Sequence, residues 1–273
     1  MRKLTNEEIW QCELEMLKYI DEICQSNQIE YSLAGGTLLG AIRHKGFIPW
    51  DDDVDLILTR HNYEKLMKVL MEENEPRFSL LYYKKVPTFI SFTRLIHGKT
   101  TSVSKHNESN ILKGVWVDIF PIDTLPDDKG ERKLQQDKVK NIGKRLRASI
   151  KGGFKYASFP TLSGFLAKII IFLPWHIRYY GKSRELCEKI DYVMQEYNDQ
   201  DAKEKGFIDS IYFEKEHFPK EIFEKYEDVE FENLVVRKIS NHDIYLKQLY
   251  GEYMKLPEEK DRVSHEIYEW YWK

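Results

Sequence analysis

Four aspartates lie within five residues at Asp51-Asp52-Asp53-Val54-Asp55, directly before the apolar run Leu56-Ile57-Leu58. Isolated carboxylates are costly to bury, so this arrangement indicates a cation bound close by. If residues 54–58 form a strand, Asp53 and Asp55 project from one face of it, about 7 Å apart at Cα. We therefore predict that these two aspartates bind a divalent ion, Mg²⁺ or Mn²⁺. The alternative is an acidic loop ahead of an ordinary strand.

A pair of glycines stands upstream of the aspartates, in Ala34-Gly35-Gly36-Thr37. They end the apolar run Tyr31 to Ala34 and open a predicted helix. Glycines at a strand-to-helix turn let backbone N–H groups approach a phosphate, and the helix N-terminus favours its negative charge. A phosphate-binding turn next to a metal site indicates phosphoryl or nucleotidyl transfer. The spacing does not fit a P-loop, a dinucleotide fingerprint or an EF-hand.

A third carboxylate would complete a two-metal site. The best candidate is Asp118, inside the strand-like run 116–121, Trp-Val-Asp-Ile-Phe-Pro. The alternative for Asp118 is an aspartate at a strand end that caps a turn. Asp123 is a weaker candidate, because Pro121 should end the strand and place Asp123 in the exit loop.

The chain resembles the LicD family and the related fukutin-type phospho-alcohol transferases. Three segments carry the resemblance: residues 34–55, residues 116–121, and residues 250–257 near the C-terminus. The resemblance implies a nucleotidyltransferase-like fold. It also implies transfer of phosphocholine from CDP-choline to a sugar hydroxyl of a lipid-linked glycan precursor, of the teichoic acid or lipopolysaccharide type. Its implied catalytic metal ligands are Asp53, Asp55 and Asp118.

The resemblance further implies that Gly35 and Gly36 hold the nucleotide phosphates. The residues that we predict to bind the donor are Gly35, Gly36, Thr37, Arg43, Lys45 and Trp50. Arg can bind a phosphate in bidentate fashion and Lys as a point charge. The alternative is that both are solvated cations that complete the helix dipole. A quaternary ammonium cannot be hydrogen-bonded and needs aromatic faces, for which Trp50 and Trp116 are the first candidates. His44 and His265 are candidate bases or phosphate contacts.

The composition fits a compact enzyme of 273 residues, with 42% hydrophobic residues and a formal charge of -3. Three cysteines without C-x-x-C spacing indicate neither a disulfide framework nor a zinc site. The N-terminus leads directly into a polar helix and lacks the apolar core of a secretion signal. We therefore expect a cytoplasmic protein, located at the inner face of the cell membrane.

The periodicities predict an α+β fold, with a mixed sheet flanked by helices. Thr5 and Glu8 form a capping-box pattern ahead of a first helix that extends to Ser26. The other predicted elements are a helix over 61–71 and strands over 31–34, 54–58, 78–83, 89–95 and 115–119. We predict a catalytic core over 1–127, a basic helical insertion over 128–205, and a C-terminal segment over 206–273 that packs back on the core as a cap.

The segment 131–182 is strongly basic, with twelve Lys or Arg against two acidic residues. Within it, residues 163–175 are the most apolar stretch of the chain, yet too short to span a bilayer. One interpretation is an interfacial helix, so that residues 151–182 contact an anionic membrane where a lipid-linked acceptor is found. The other is a buried helical hairpin with a solvated basic face. No nucleic-acid-binding motif accompanies the charge, so we expect no nucleic-acid partner.

Three other functions remain open. Related enzymes transfer ribitol phosphate or other phospho-alcohols from a CDP carrier. A metal-dependent glycosyltransferase also uses a D-x-D motif, but it lacks the glycine turn and releases a nucleoside diphosphate. An inactive membrane adaptor would retain the basic segment and would not bind nucleotide in a Mg²⁺-dependent way.

Overall fold

The computed structural model describes residues 1–73, 75–104, 113–150, 162–258, 262 and 268–273. The helices are α1 (Asn6–Ser26), α2 (Gly35–His44), α3 (Arg60–Glu72), α4 (Lys129–Ala148), α5 (Leu162–Tyr179), α6 (Ser183–Met194) and α7 (His242–Tyr250), with a 3-10 turn at Lys220–Phe223. The strands are β1 (Arg2–Lys3), β2 (Ser32–Leu33), β3 (Val54–Thr59), β4 (Phe78–Leu81), β5 (Thr93–His97), β6 (Thr100–Ser104), β7 (Trp116–Leu125), β8 (Glu204–Gly206), β9 (His217–Pro219), β10 (Tyr226–Phe231), β11 (Leu234–Ile239) and β12 (Tyr268–Trp272).

The main sheet is mixed and has seven strands, in the order β2-β3-β7-β5-β4, with β8 joined to β7 and β9 to β8. Strands β3 and β7 are parallel, and their neighbours β2 and β5 run antiparallel to them. Helices α1 and α3 pack on this sheet. The α+β architecture predicted from the sequence is therefore confirmed.

Alternation along β3 and β7 divides their side chains between the two faces of the sheet. One set is apolar and fully buried, and it includes Leu56, Leu58, Val117 and Ile119. The other set contains Asp55 on β3 and Asp118 on β7. Burial of the apolar set fixes the register of both strands, because a one-residue slip would move the charged side chains into the core.

Helix α1 confirms the local signals read from the sequence. The Thr5 hydroxyl accepts a hydrogen bond from the Glu8 N–H, and the Glu8 carboxylate accepts one from the Thr5 N–H. The predicted helix over 61–71 and the strand over 54–58 are also present as α3 and β3. The strand predicted over 89–95 is shifted, since β5 begins only at Thr93.

The expectation that Pro121 ends its strand is wrong. Strand β7 continues to Leu125 and contains Asp123. Antiparallel pairing with β5 stops at Ile119, and pairing with β8 starts at Asp123. Pro121 lies between these two partners, where its missing N–H costs no hydrogen bond to either.

The chain termini come together in a second sheet of order β1-β12-β6. Strand β12 pairs with both β1 and β6, and a hairpin of β10 and β11 contacts α2 and β2. The three cysteines are buried and form no disulfide bond. The proposed domain boundaries at 127 and 205 stay a prediction, although β8, near the second of them, pairs with β7 of the main sheet.

Candidate active site

A row of three charged side chains crosses the centre of the main sheet. Asp55 on β3 pairs in register with Asp118 on β7, and Asp118 pairs in register with Arg94 on β5. Register partners on adjacent strands lie about 5 Å apart and project from the same face. The sheet therefore brings together two of the three predicted carboxylates, which lie far apart in the sequence.

Asp53 lies one residue before β3, at the end of the row next to α2. The Thr37 hydroxyl holds this segment: it accepts a hydrogen bond from the Asp55 N–H at 2.9 Å and donates to the Asp53 carbonyl at 3.4 Å. The carbonyl of Asp55 accepts a hydrogen bond from the Ala34 N–H at 2.9 Å. Thr37, predicted to bind the donor, is thus a buried brace between the first turn of α2 and the two aspartates.

The brace leads to a specific expectation for Thr37→Val. The variant keeps the shape of the side chain but loses two hydrogen bonds to the backbone of the aspartates. We expect its free energy of unfolding to fall by about 1–2 kcal/mol and turnover to fall by roughly tenfold or more, because displaced ligands no longer fit the transition state. Steady-state kinetics and urea denaturation measure both effects. Thr37→Ser, which retains the hydroxyl, should keep most of the activity.

The glycine turn lies against the same carboxylates. Gly35 has φ of +49°, a left-handed conformation that favours glycine, and a Cβ at this position would stand 3.3 Å from Oδ2 of Asp55. The Gly35 N–H donates to the Tyr245 hydroxyl at 3.1 Å. A Cβ on Gly36 would collide with the Asp51 carboxylate. Ala34, the N-cap of α2, makes no side-chain capping hydrogen bond to the first turn.

The site is crowded with negative charge. The pKa of Asp55 is well above its ordinary value, first because the side chain is buried and then because Asp53 and Asp118 are close. Burial also raises the pKa of Asp118, and the adjacent Arg94 opposes that rise. Arg94 donates to both oxygens of Asp118, at 2.6 and 3.2 Å, and its guanidinium lies 4.1 Å from the centre of the Trp116 ring.

Glu13 belongs to this acidic cluster and was not predicted from the sequence. It lies on α1, its side chain is only 1% exposed, and its Oε2 has no hydrogen-bond partner among the described residues. Burial raises its pKa well above the ordinary value, and Asp53 is the strongest of the four aspartates that raise it further. The sequence could have indicated it, because Glu13 stands at helical spacing between Ile9 and Met16, on the face of α1 that is buried.

The side chains of Asp53 and Asp55 fit a hard divalent cation, because carboxylate oxygens are the protein ligands that Mg²⁺ prefers. Asp53 and Asp55 would hold the ion. Within the described ranges, however, no three His, Cys, Asp or Glu side chains are arranged as ligands of one metal ion. Asp118, the predicted third ligand, is instead paired with Arg94.

The other predicted donor-binding residues have partners away from the row. Arg43 donates to the carbonyls of Tyr253 and Lys255, and Lys45 forms an exposed ion pair with Glu230. The ring of Trp50 is covered by Arg262, whose guanidinium lies 4.7 Å from the ring centre. A role for these three residues in donor binding stays a prediction. His265 lies outside the described residues.

Asp123 is not part of the site. It is buried and forms a bidentate ion pair with Arg60, and it accepts a hydrogen bond from Asn198 at 2.7 Å. Arg60 also pairs with Asp191 at 2.6 Å. The role of Asp123 is therefore to anchor α3 and α6 to the end of β7.

A cavity of about 310 Å³ opens beside Asp55 and Gly35. Its walls come from the sheet, from the segment 207–218 and from Tyr245 of α7. A larger cavity of about 950 Å³, lined by Arg132 and Glu204, contains none of the carboxylates of the row. Asp55 of the charged row and Gly35 of the glycine turn thus line the same cavity.

Comparison with known proteins identifies a family for one part of the chain. Residues 28–143 match a family model described as "LicD/FKTN/FKRP, nucleotidyltransferase domain". The chain contains a LicD-family domain. The match includes α2, β3, the row and the start of α4, so the family resemblance noted from the sequence is confirmed.

Individual relatives extend the match beyond this domain. The chain is 28% identical to the lipopolysaccharide cholinephosphotransferase LicD of Haemophilus influenzae, over 99% of each chain. An uncharacterised protein of Rickettsia prowazekii is 32% identical over 39% of this chain and 31% of its own length. The human ribitol 5-phosphate transferase FKRP is 48% identical over 42 residues, which are 15% of this chain and 8% of that protein.

Proposed function

We propose that this LicD-family chain transfers phosphocholine from CDP-choline to a sugar hydroxyl of a cell-surface glycan precursor of the lipopolysaccharide type. The observation that carries the proposal is the row of Asp55, Asp118 and Arg94 beside the glycine turn of α2. The full-length similarity to a cholinephosphotransferase of Haemophilus influenzae supports the choice of phosphocholine. We also propose that the main sheet has a nucleotidyltransferase-like arrangement. A glycan precursor of the teichoic acid type is the other proposed acceptor.

In this mechanism Asp53 and Asp55 would hold Mg²⁺, which would supply positive charge to the donor diphosphate. The N–H groups of the first turn of α2 orient the phosphates, aided by the positive end of the helix dipole. The acceptor oxygen attacks the choline-side phosphorus in line, the bond to the CMP oxygen breaks, and CMP leaves with the bonding electrons. Asp118 is the proposed third carboxylate and the group that takes the hydroxyl proton.

For Asp118 to act in this way, Arg94 must release it. A donor phosphate offers Arg94 the same bidentate, charged acceptor that Asp118 now provides. Exchange of Arg94 from the carboxylate to the phosphate would free Asp118 only when donor is present. This exchange would couple donor binding to proton transfer.

The proposal is tested by identifying the nucleotide that is released. Purified protein is incubated with Mg²⁺, one donor and lipooligosaccharide that lacks phosphocholine, and the nucleotides are separated by chromatography. With CDP-choline we expect CMP and phosphocholine on the glycan. CMP formed only with CDP-ribitol would instead show transfer of another phospho-alcohol, and a nucleoside diphosphate formed from a sugar nucleotide would show a glycosyltransferase.

The proposal extends to membrane contact by α5, where a lipid-linked acceptor would be found. Leu166, Ile170, Leu173 and Ile177 recur at intervals of four, three and four residues, so they share one face of the helix. They are exposed, Ile170 by 74% and Ile177 by 73%. The buried-hairpin alternative does not provide for these exposed side chains. No helix in the described part of the chain combines the length and apolarity needed to cross a bilayer.

Vesicle binding tests the role of α5. We expect the protein to sediment with vesicles that contain phosphatidylglycerol, and less so at high salt, because the segment 131–182 is basic. Ile170→Glu with Ile177→Glu should reduce binding by more than about tenfold, since each isoleucine buries apolar surface worth about 1.5–3 kcal/mol. Val235→Glu, at a position on β11 that is 61% exposed, is the control. Unchanged binding of the α5 variant would contradict this part of the proposal.

A further inference from the structure

The cavity beside Asp55 has an aromatic floor on the sheet, one step beyond the charged row. Side chains two residues apart on a strand share a face, so Phe120 follows Asp118 on β7 and Ile57 follows Asp55 on β3. Phe92, directly before β5, lies beside Phe120 when the antiparallel register of β5 and β7 is continued by one residue. The rings of Phe92 and Phe120 have centroids 4.5 Å apart, and both residues are only partly buried. The same face thus changes from charged to aromatic within two residues.

The segment 207–218 completes the enclosure. The ring of Phe207 lies 5.1 Å from Phe120 and 6.0 Å from Phe92, so three aromatic rings meet at one wall of the cavity. Phe218 and Tyr245, which also line the cavity, stack with ring centroids 4.4 Å apart. Every one of these five side chains lines the cavity of about 310 Å³.

Two further carboxylates line the same space. Asp209 accepts a hydrogen bond from the Ser91 hydroxyl at 2.6 Å, and Glu216 lies nearby in the same segment. Burial is the main reason that the pKa of each is raised. Within the described residues no Lys or Arg lines the cavity. The cavity therefore combines aromatic walls with these two acidic side chains, and Asp209 also lies within the electrostatic influence of Arg147 and Lys140.

This chemistry selects among ligands. A quaternary ammonium has a positive charge and no hydrogen-bond donor, so aromatic faces and carboxylates at van der Waals distance satisfy it completely. A polyol such as ribitol would leave hydroxyl groups against aromatic walls without partners, which is costly. At about 310 Å³ the cavity is at the small end of the usual range for small-molecule sites.

We propose that this cavity binds the trimethylammonium end of the transferred group, with Phe92, Phe120 and Phe207 around the cation and with Asp209 and Glu216 supplying the opposite charge. The inference rests on the proposed phosphocholine transfer and names the subsite that selects the alcohol. Because Asp55 and Gly35 line the same cavity, a headgroup bound there leaves its phosphate beside the charged row. The specificity for choline over a polyol thus comes from the sheet floor and the segment 207–218.

Free phosphocholine tests the subsite without any turnover. Isothermal titration of the full chain should detect phosphocholine and give no binding of ribitol 5-phosphate. Phe120→Leu and, separately, the nearly isosteric Glu216→Gln should each weaken phosphocholine binding by roughly tenfold, since a desolvated cation loses one of its partners. Phe78→Leu, a buried ring on β4 outside the cavity, should bind phosphocholine as the unsubstituted protein does.

The outcomes separate the subsite from the reaction. Loss of affinity in both cavity variants, with unchanged affinity for CMP, supports the inference. Equal binding of phosphocholine by both variants and the parent overturns it, even if the parent transfers phosphocholine from CDP-choline. Absence of phosphocholine binding in the parent overturns it as well. Binding of phosphocholine without any CDP-choline turnover would leave the subsite standing and refute the proposed reaction.

Discussion

Asp55→Asn should lower the rate of phosphocholine transfer by about a thousandfold or more, because it removes a proposed metal ligand at the point where charge develops in the transition state. The substitution keeps the backbone hydrogen bonds from Ala34 and to Thr37. It also removes a buried carboxyl group whose pKa is raised by burial and by its acidic neighbours. We therefore expect the free energy of unfolding to stay the same or to increase, as measured by urea denaturation alongside the transfer rate.

A second buried carboxyl group provides the control for Asp55. Asp21 on α1 accepts hydrogen bonds from Tyr31 at 2.8 Å and from Gln25 at 2.7 Å, away from the row. Asp21→Asn should lose stability and keep its turnover, the reverse of Asp55→Asn. Near-normal transfer by Asp55→Asn would remove Asp55 from the catalytic residues.

Arg60→Met should destabilise the fold by about 3–5 kcal/mol, since it leaves two buried carboxylates without their cation. Arg60 makes a bidentate pair with Asp123 and a further bond to Asp191, and all three side chains are largely buried. Urea denaturation of the two proteins measures the difference. Lys45→Ala, which breaks only an exposed pair with Glu230, should change stability by less than about 1 kcal/mol.

The effect of Arg60→Met should depend on pH in a defined direction. Burial already raises the pKa of Asp123, and Arg60 opposes that rise. Without Arg60 the folded state holds a proton on Asp123 to higher pH than the unfolded state does. Stability of the variant is then lost as pH rises through that raised pKa and recovered as pH falls. If the loss of stability caused by Arg60→Met became larger as the pH falls, the role given to Arg60 would be contradicted.

Local signals in the sequence were sufficient to predict the helix and the strand nearest the site. The capping box of Thr5 and Glu8 and the apolar run after Asp55 gave α1 and β3 correctly, because both depend on neighbours within a few residues. The carboxylates Asp55 and Asp118 were also identified locally, as charges inside apolar runs. The structure brings them together by pairing β3 with β7.

The errors and omissions concern contacts between distant parts of the chain. Asp123 was assigned to a loop because proline usually ends a strand, and only the change of partner from β5 to β8 explains why β7 continues. The cavity depends on Tyr245, which is 210 residues from its partner Gly35. Phe207 and Glu216 carry no local motif. These residues come together only when the sheet forms, so no local sequence pattern predicts their contact.

Thr37 shows a different limitation. Its place in the glycine motif suggested contact with the donor, which stays a prediction. The structure shows that its hydroxyl joins α2 to the backbone of Asp53 and Asp55. Residue type and spacing identified an important position and left its role open. Which of two polar neighbours a hydroxyl binds is decided by geometry.

The most direct test of the account is whether a divalent ion on Asp53 and Asp55 joins the protein to its donor. Isothermal titration of CDP-choline is carried out with Mg²⁺ and with EDTA, for the unsubstituted protein, Asp53→Asn and Asp55→Asn. We predict that removal of Mg²⁺ weakens binding to the unsubstituted protein by more than about tenfold, or 1.4 kcal/mol, and that neither variant responds to Mg²⁺. Equal affinity in EDTA, or a full response to Mg²⁺ in both variants, would contradict the account.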